Sequence, residues 1–158
     1  MWTVIDTPIG PLRLVEQRGL LTSIEFSPFS GTGRPRGDRG DREPVLARTR
    51  AQLAAYFAGE VVAFELPLDP QGTEFQLRVW EELRKVPYGE TITYGDLAAR
   101  IGRTSASARA VGHANGQNPI PIIQPRHRVI GSDGSLTGFA GGLERKRFLL
   151  ELERPALF

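Results

Sequence analysis

The chain of 158 residues contains no cysteine. That single absence removes disulfides, thiolate metal sites and cysteine nucleophiles together. Histidine is scarce as well: His113 and His127, far apart in sequence, make a poor metal pair, so neither a metal nor another cofactor is expected. Long apolar runs are missing, and the N-terminal MWTVIDTPIGP has neither a basic leader nor an extended apolar segment. A cytoplasmic location with no membrane partner is the expectation. What the chain does have is arginine. Its net charge is only +2, but the pI is about 9.4 and nearly all basic residues are Arg, whose fork suits phosphate or carboxylate partners. The 40% of apolar residues is enough for a core.

Residues 2–26 alternate short apolar stretches with turn residues, which predicts a small antiparallel meander. Residues 27–44 are rich in Gly, Pro, Arg and Asp. Their acids nearly cancel their arginines, so a flexible connector is expected rather than a basic arm. Leu46, Leu53 and Phe57 fall at helical spacing within 45–58, and VAFELPL (62–68) reads as a further strand. These elements make an N-terminal domain, residues 1–69, followed by a helical domain, 70–158. The fold class is α+β, a small antiparallel sheet plus helix packed on a helical domain.

The second part opens with a capping-box pattern, Thr73-Glu74-Phe75-Gln76. Phe75, Val79, Leu83 and Val86 follow on one face, and Pro87-Tyr88-Gly89 stops the helix. Thr93 to Asp96 caps a short helix that Gly102 breaks, and Thr104 or Ser105 starts another running to Gly116. Two short helices joined by a Gly-containing turn form a helix-turn-helix pattern. The second is nearly all Ala, Gly and Ser. Small residues such as Ala108 and Gly112 let its backbone approach a neighbour closely, either another helix or a DNA backbone with Arg109 projecting into the duplex. Beyond it, the prolines of Asn118-Pro119-Ile120-Pro121-Ile122-Ile123 exclude helix and predict a buried extended segment. Asp133-Gly134 predicts a tight turn, Gly138, Gly141 and Gly142 a loop that passes close to a ligand, and Leu143 to Glu153 a last amphipathic helix.

TEFQLRVWEELRKVPYGETITYGDLAARIG, ARAVGHANGQNPIPI and PRHRVIGSDGSLTGFAGGLERKRFLLELE resemble the O6-alkylguanine-DNA alkyltransferases. The likeness runs along essentially the whole chain, and its specific part is the C-terminal half. The family motif is Pro-Cys-His-Arg, whose Cys takes the alkyl group from a flipped guanine; here it reads Pro125-Arg126-His127-Arg128. A guanidinium offers no usable lone pair for displacement at an alkyl carbon, so self-alkylation is not expected. Members with the Cys replaced, the alkyltransferase-like proteins, bind the lesion without removing it and can hand it to nucleotide excision repair. The resemblance therefore implies a monomeric DNA-repair protein whose partner is double-stranded DNA with a flipped modified purine, bound through the minor groove.

By the resemblance, Arg109 is the finger that enters the stack, Tyr94 crowds the 3′ phosphate, Asn118 orders the active-site turn, and Phe139-Ala140-Gly141 line the base pocket. Tyr94, Arg109, Ala108, Gly112, Asn118 and Arg128 make up the expected DNA-side set, Arg128 also bracing the site through backbone or the acids of the last helix. Arg126, His127 and Glu153 occupy the place of the nucleophile and its network. Guanine presents O6 and N7 as adjacent acceptors, which the Arg126 fork matches. The plainer alternative is that Arg126 swings away and fills space. Two other functions fit the same residues. In one, His127 and Glu153 activate water with Arg126 assisting, as a glycosylase for deaminated purines. In the other, Arg126 inactivates an ordinary alkyltransferase.

Overall fold

Alternating apolar residues near the N-terminus fold as strands β1 (Trp2–Ile5), β2 (Leu12–Gln17) and β3 (Leu20–Phe26), antiparallel in the order β1-β2-β3. The β2–β3 turn holds Arg18 at φ 55° and Gly19 at φ 79°. Two positive φ values in a two-residue hairpin suit the right-handed twist of the strands, and glycine takes the second without strain. Helix α1 (Pro44–Phe57) follows, its start set by Pro44 in the first turn and by the Glu43 carboxylate accepting from Leu46 N at 2.9 Å. The computed structural model describes residues 1–29, 37–60, 63–136 and 142–155. The chain divides into two compact units, Met1–Gln71 and Gly72–Phe158.

Within the first unit three local expectations change. Tyr56 is fully buried where Phe57 was the expected core residue, because the buried row of α1 runs Leu46, Thr49, Leu53, Tyr56. Residues 63–67 form no strand ladder. The Glu65 backbone is instead bonded by side chains of α1, with Gln52 both accepting from its N–H and donating to its carbonyl, and Arg48 donating to the same carbonyl at 2.9 Å. Among the described residues of the expected strand, an isolated bridge, Leu21 with Leu68, is what forms. Of the connector at 27–44, residues 37–41 are tied to β1: Trp2 N donates to Asp38 O, Gly40 N to Trp2 O, and Thr3 Oγ1 to Asp41. Residues 30–36 lie outside the described residues.

The second unit begins with α2 (Glu74–Leu83), whose capping box is complete, Thr73 and Gln76 each bonding the other's backbone. Strand β4 (Ile92–Thr93) leads into α3 (Tyr94–Arg100), capped by Thr93 Oγ1 accepting from Asp96 N at 3.0 Å. Gly102 at φ 75° turns the chain, and a short 3₁₀ segment (Ser105–Ser107) enters α4 (Ala108–Gly116). Trp80, Leu83, Leu97, Ile101, Val111 and Ala114 share one core, and Trp80 Nε1 donates to Ala114 O at 2.8 Å. A second 3₁₀ turn (Arg126–Arg128) runs into β5 (Val129–Ile130), which pairs in parallel with β4. That pairing sets the Arg-His-Arg turn beside the entrance of α3. Helix α5 (Leu143–Glu153) closes the unit. No helix among the described residues is long and apolar enough to cross a membrane.

Candidate functional site

The prolines at 119 and 121 remove two backbone donors, and the segment around them is buried as expected, but it is a compact turn rather than extended chain. Gln124 N closes it onto Ile120 O at 3.0 Å, and Ile122 sits at φ 74°. Asn118 holds the turn shut. Its Oδ1 accepts from Ile120 N at 2.9 Å and from Gln124 Nε2 at 2.7 Å, while its Nδ2 donates to Gln124 O at 2.6 Å. A β-branched residue at positive φ is costly in isolation, and this bonded frame is what over-determines it.

The next three residues, all buried, point into different surroundings. Arg126 is 4% exposed, and its Nη1 donates to Gly116 O at 3.0 Å. The cation at the end of this apolar segment therefore bonds inside the protein. His127 is fully buried, with Nε2 2.5 Å from Glu153 Oε2. Arg128 forks onto the same carboxylate, Nε to Oε1 at 2.8 Å and Nη2 to Oε2 at 3.0 Å, and its Nη1 donates to Val86 O at 2.8 Å. Gly89 N adds a further bond to Glu153 Oε1 at 3.2 Å. Helix α5 therefore supplies one carboxylate that ties together the α2–β4 loop and the Arg-His-Arg turn.

Electrostatics fix the protonation of this group. Burial on its own would raise the Glu153 pKa, but the hydrogen bonds from His127 and Arg128 and the Arg128 charge outweigh it and hold the carboxyl well below its usual range. Burial pushes His127 down, and the Arg128 and Lys146 charges add to that against the pull of Glu153. His127 is therefore a neutral imidazole that donates Nε2–H to an ionised carboxylate, leaving Nδ1 as an acceptor. No hydrogen-bond partner for Nδ1 lies among the described residues. Burial pushes Arg126 down to about 10, still protonated at neutral pH.

Lys146 is the residue the sequence pattern did not single out. It is 1% exposed, its Nζ donates to Val129 O at 2.6 Å, and burial together with the Arg126 charge pushes its pKa down to about 8. The signal was present in α5, where Lys146, Leu149 and Glu153 form the buried row and two of the three are charged. Leu143, the first apolar residue of that helix, is 49% exposed.

The expected DNA-side residues divide. Arg109 is exposed on α4 and Tyr94 is half-buried on α3. At Gly112 the close neighbour is Tyr94, whose Cδ1 would lie 3.4 Å from an added Cβ, and Ala108 is half-buried. Asn118 and Arg128 do not face outward: both are buried, and their side chains are committed to the turn and to Glu153, so they order the site from within. Phe139, Ala140 and Gly141 lie outside the described residues. Among the described residues, no cluster of three or more His, Asp or Glu is placed to hold a metal ion.

Two family models match: "6-O-methylguanine DNA methyltransferase, ribonuclease-like domain" over residues 1–70 and "6-O-methylguanine DNA methyltransferase, DNA binding domain" over 74–155. The methylated-DNA–protein-cysteine methyltransferase of Mycobacterium bovis is 49% identical, covering 97% of this chain and 92% of the relative. That of Methanosarcina acetivorans is 46% identical over 96% of this chain and 97% of its own. The crystal structure of Mycobacterium tuberculosis OGT in complex with DNA superposes with a TM-score of 0.88 at 48% identity, covering 97% of this chain and 92% of that one. These relatives are named as methyltransferases, and the glycosylase alternative finds no support among them. With both halves matched and near-full-length relatives close to half identical, the chain belongs to the 6-O-methylguanine DNA methyltransferase family.

Proposed function

We propose that this protein is a DNA-repair lesion-recognition protein: it binds duplex DNA, flips O6-alkylguanine or a related modified purine, and does not take the alkyl group. The observation that carries this is a chain without any cysteine, in a family whose curated relatives are named for a protein cysteine, with a buried protonated guanidinium in its Pro125-Arg126-His127-Arg128 turn. Alkyl transfer needs a lone pair able to displace guanine from the alkyl carbon, and a guanidinium has none to give. What Arg126 can give is hydrogen bonds. An O6-alkylated guanine keeps its ether oxygen and N7 as adjacent acceptors, and a planar fork matches two acceptors side by side.

DNA as the partner is supported by the DNA-binding-domain match and by the DNA complex of the Mycobacterium tuberculosis structure. In this reading Arg109 fills the space the flipped base leaves, and Tyr94 stands against the flanking phosphate. Unstacking costs a few kcal/mol, which a plug and pocket contacts offset. A lesion that is bound but left intact requires another activity to excise it, and nucleotide excision repair is the class that removes a bulky marked nucleotide whole.

The test is incubation with duplexes carrying one O6-methylguanine, hypoxanthine or xanthine, followed by measurement of binding, base integrity and alkali-induced strand cleavage. Lesion-selective binding with the alkyl group still on the base supports the proposal. A methylated protein, or an alkali-labile site that disappears in His127→Ala, refutes it.

A further inference from the structure

The buried charges of the second unit do not balance. Among its described residues, the buried ionisable side chains are Arg126, His127, Arg128, Lys146 and Glu153, and with His127 neutral this leaves three cations against one carboxylate. Glu153 is committed to Arg128, accepting from its Nε at 2.8 Å and from its Nη2 at 3.0 Å. The excess positive charge therefore lies on Arg126 and Lys146. Each donates to a backbone carbonyl, Arg126 Nη1 to Gly116 O at 3.0 Å and Lys146 Nζ to Val129 O at 2.6 Å. Val129 directly follows the 3₁₀ turn that Arg126 opens, so both cations belong to one site. Their charges also feel each other, since Arg126 helps to depress the Lys146 pKa. We infer that Arg126 and Lys146 form an anion pocket, in which Lys146 selects guanines whose O6 substituent ends in a carboxylate.

The inference rests on the lesion-binding reading above and adds to it the chemical class of the lesion. Position 126 is where the family's cysteine takes the alkyl group, so in that reading the O6 substituent of a flipped guanine is what comes to Arg126. A buried cation is costly unless it is paired, and a second one beside it raises the cost of both. A carbonyl supplies a dipole, which offsets only part of a full charge. A methyl group on O6 supplies no charge at all. A carboxymethyl group sets two anionic oxygens just beyond the ether oxygen, where the planar Arg126 fork matches them and the Lys146 charge stabilises them. Charge-assisted bonds of this kind are about twice as strong as neutral ones.

The experiment compares duplexes that carry O6-carboxymethylguanine, its neutral amide O6-carbamoylmethylguanine, O6-methylguanine or unmodified guanine, with affinity read by fluorescence anisotropy. Acid and amide have nearly the same size, so their ratio isolates charge. The parent should bind the acid about tenfold more tightly than the amide. Lys146→Gln keeps a donor for Val129 O and removes the charge, and should lower that ratio to about threefold while leaving the unmodified duplex unaffected. Circular dichroism verifies that the variant folds; if it does not, the ratio in the parent alone decides. Equal binding of acid and amide by the parent overturns this inference, and preference for O6-methylguanine over guanine in the same series leaves the proposed function standing. A ratio that Lys146→Gln does not change overturns the role of Lys146. Equal weakening of the unmodified duplex by Lys146→Gln assigns that cation to backbone phosphates and also overturns it. If the parent does not distinguish O6-methylguanine from guanine but still prefers acid over amide, the anion pocket stands and the proposed function fails for neutral alkyl lesions.

Discussion

Replacing Glu153 by glutamine keeps its shape and removes its charge. In the structure this carboxylate takes four hydrogen bonds, two from Arg128, one from His127 and one from Gly89 N, and its side chain is 1% exposed. Glutamine can accept at one oxygen only. The Arg128 guanidinium would lose its counter-charge inside the protein, and an amide NH₂ would confront the Nε2–H of His127 unless the imidazole changed tautomer. Removing one partner of a buried pair costs about 3–5 kcal/mol. The assay is urea unfolding followed by fluorescence in a Trp2→Phe background, so that Trp80, buried in the core of the second unit, reports that unit alone. Arg128→Met added to Glu153→Gln should restore about 2 kcal/mol, because it removes the stranded cation. A loss below about 1 kcal/mol for Glu153→Gln, or no recovery in the double variant, would refute the view that this carboxylate anchors the turn.

Acid should weaken the second unit in two steps of the same sign. With the His127 pKa depressed on folding, the unfolded chain binds the extra proton first, so stability falls as pH drops below about 6.5. The depressed Glu153 pKa makes it fall again below about 4.3, and His127→Gln should abolish the upper step in urea titrations across pH. Lys146 acts at the alkaline end: with a folded pKa of about 8 and an unfolded one of about 10.4, stability should rise between these values, and Lys146→Met should remove that rise. Gly72→Ala would put a Cβ 2.5 Å from Trp80 Cη2, so a loss of about 1–3 kcal/mol in urea unfolding is expected. Asn118→Ala leaves Ile120 N and Gln124 O buried without their bonds and should cost about 2–4 kcal/mol by the same measurement.

What could be read from sequence was local and self-contained. The Thr73–Gln76 capping box, the Thr93 cap and the glycine break at 102 each depend on residues within one turn of the chain, and each forms as its pattern predicts. The misses share another cause: partners remote in sequence. Residues 63–67 have strand composition, but Gln52 and Arg48 from α1 reach their backbone first. The Pro-Ile-Pro-Ile-Ile run announced burial correctly, yet its path is bent by Asn118 and Gln124, which no propensity encodes. In the site, Arg126, His127 and Glu153 came from resemblance, and their separate environments came only from structure. Lys146 shows the limit of periodicity, since a charged residue on a buried row looks like an error in the pattern until its acceptor, Val129 O, is in view.

Among the described residues, Arg126 is held inside the protein without a carboxylate, by its bond to Gly116. Gly116 is the last residue of α4, where carbonyls without intrahelical partners gather about half a negative charge from the aligned peptide dipoles. The guanidinium is thus partly neutralised by a backbone terminus, a softer hold than a carboxylate would give. In the proposed function, a purine that drew the fork away would take one bond from the C-terminal end of the helix that carries Arg109. In that reading, base binding at Arg126 and the stiffness of α4 depend on the same hydrogen bond.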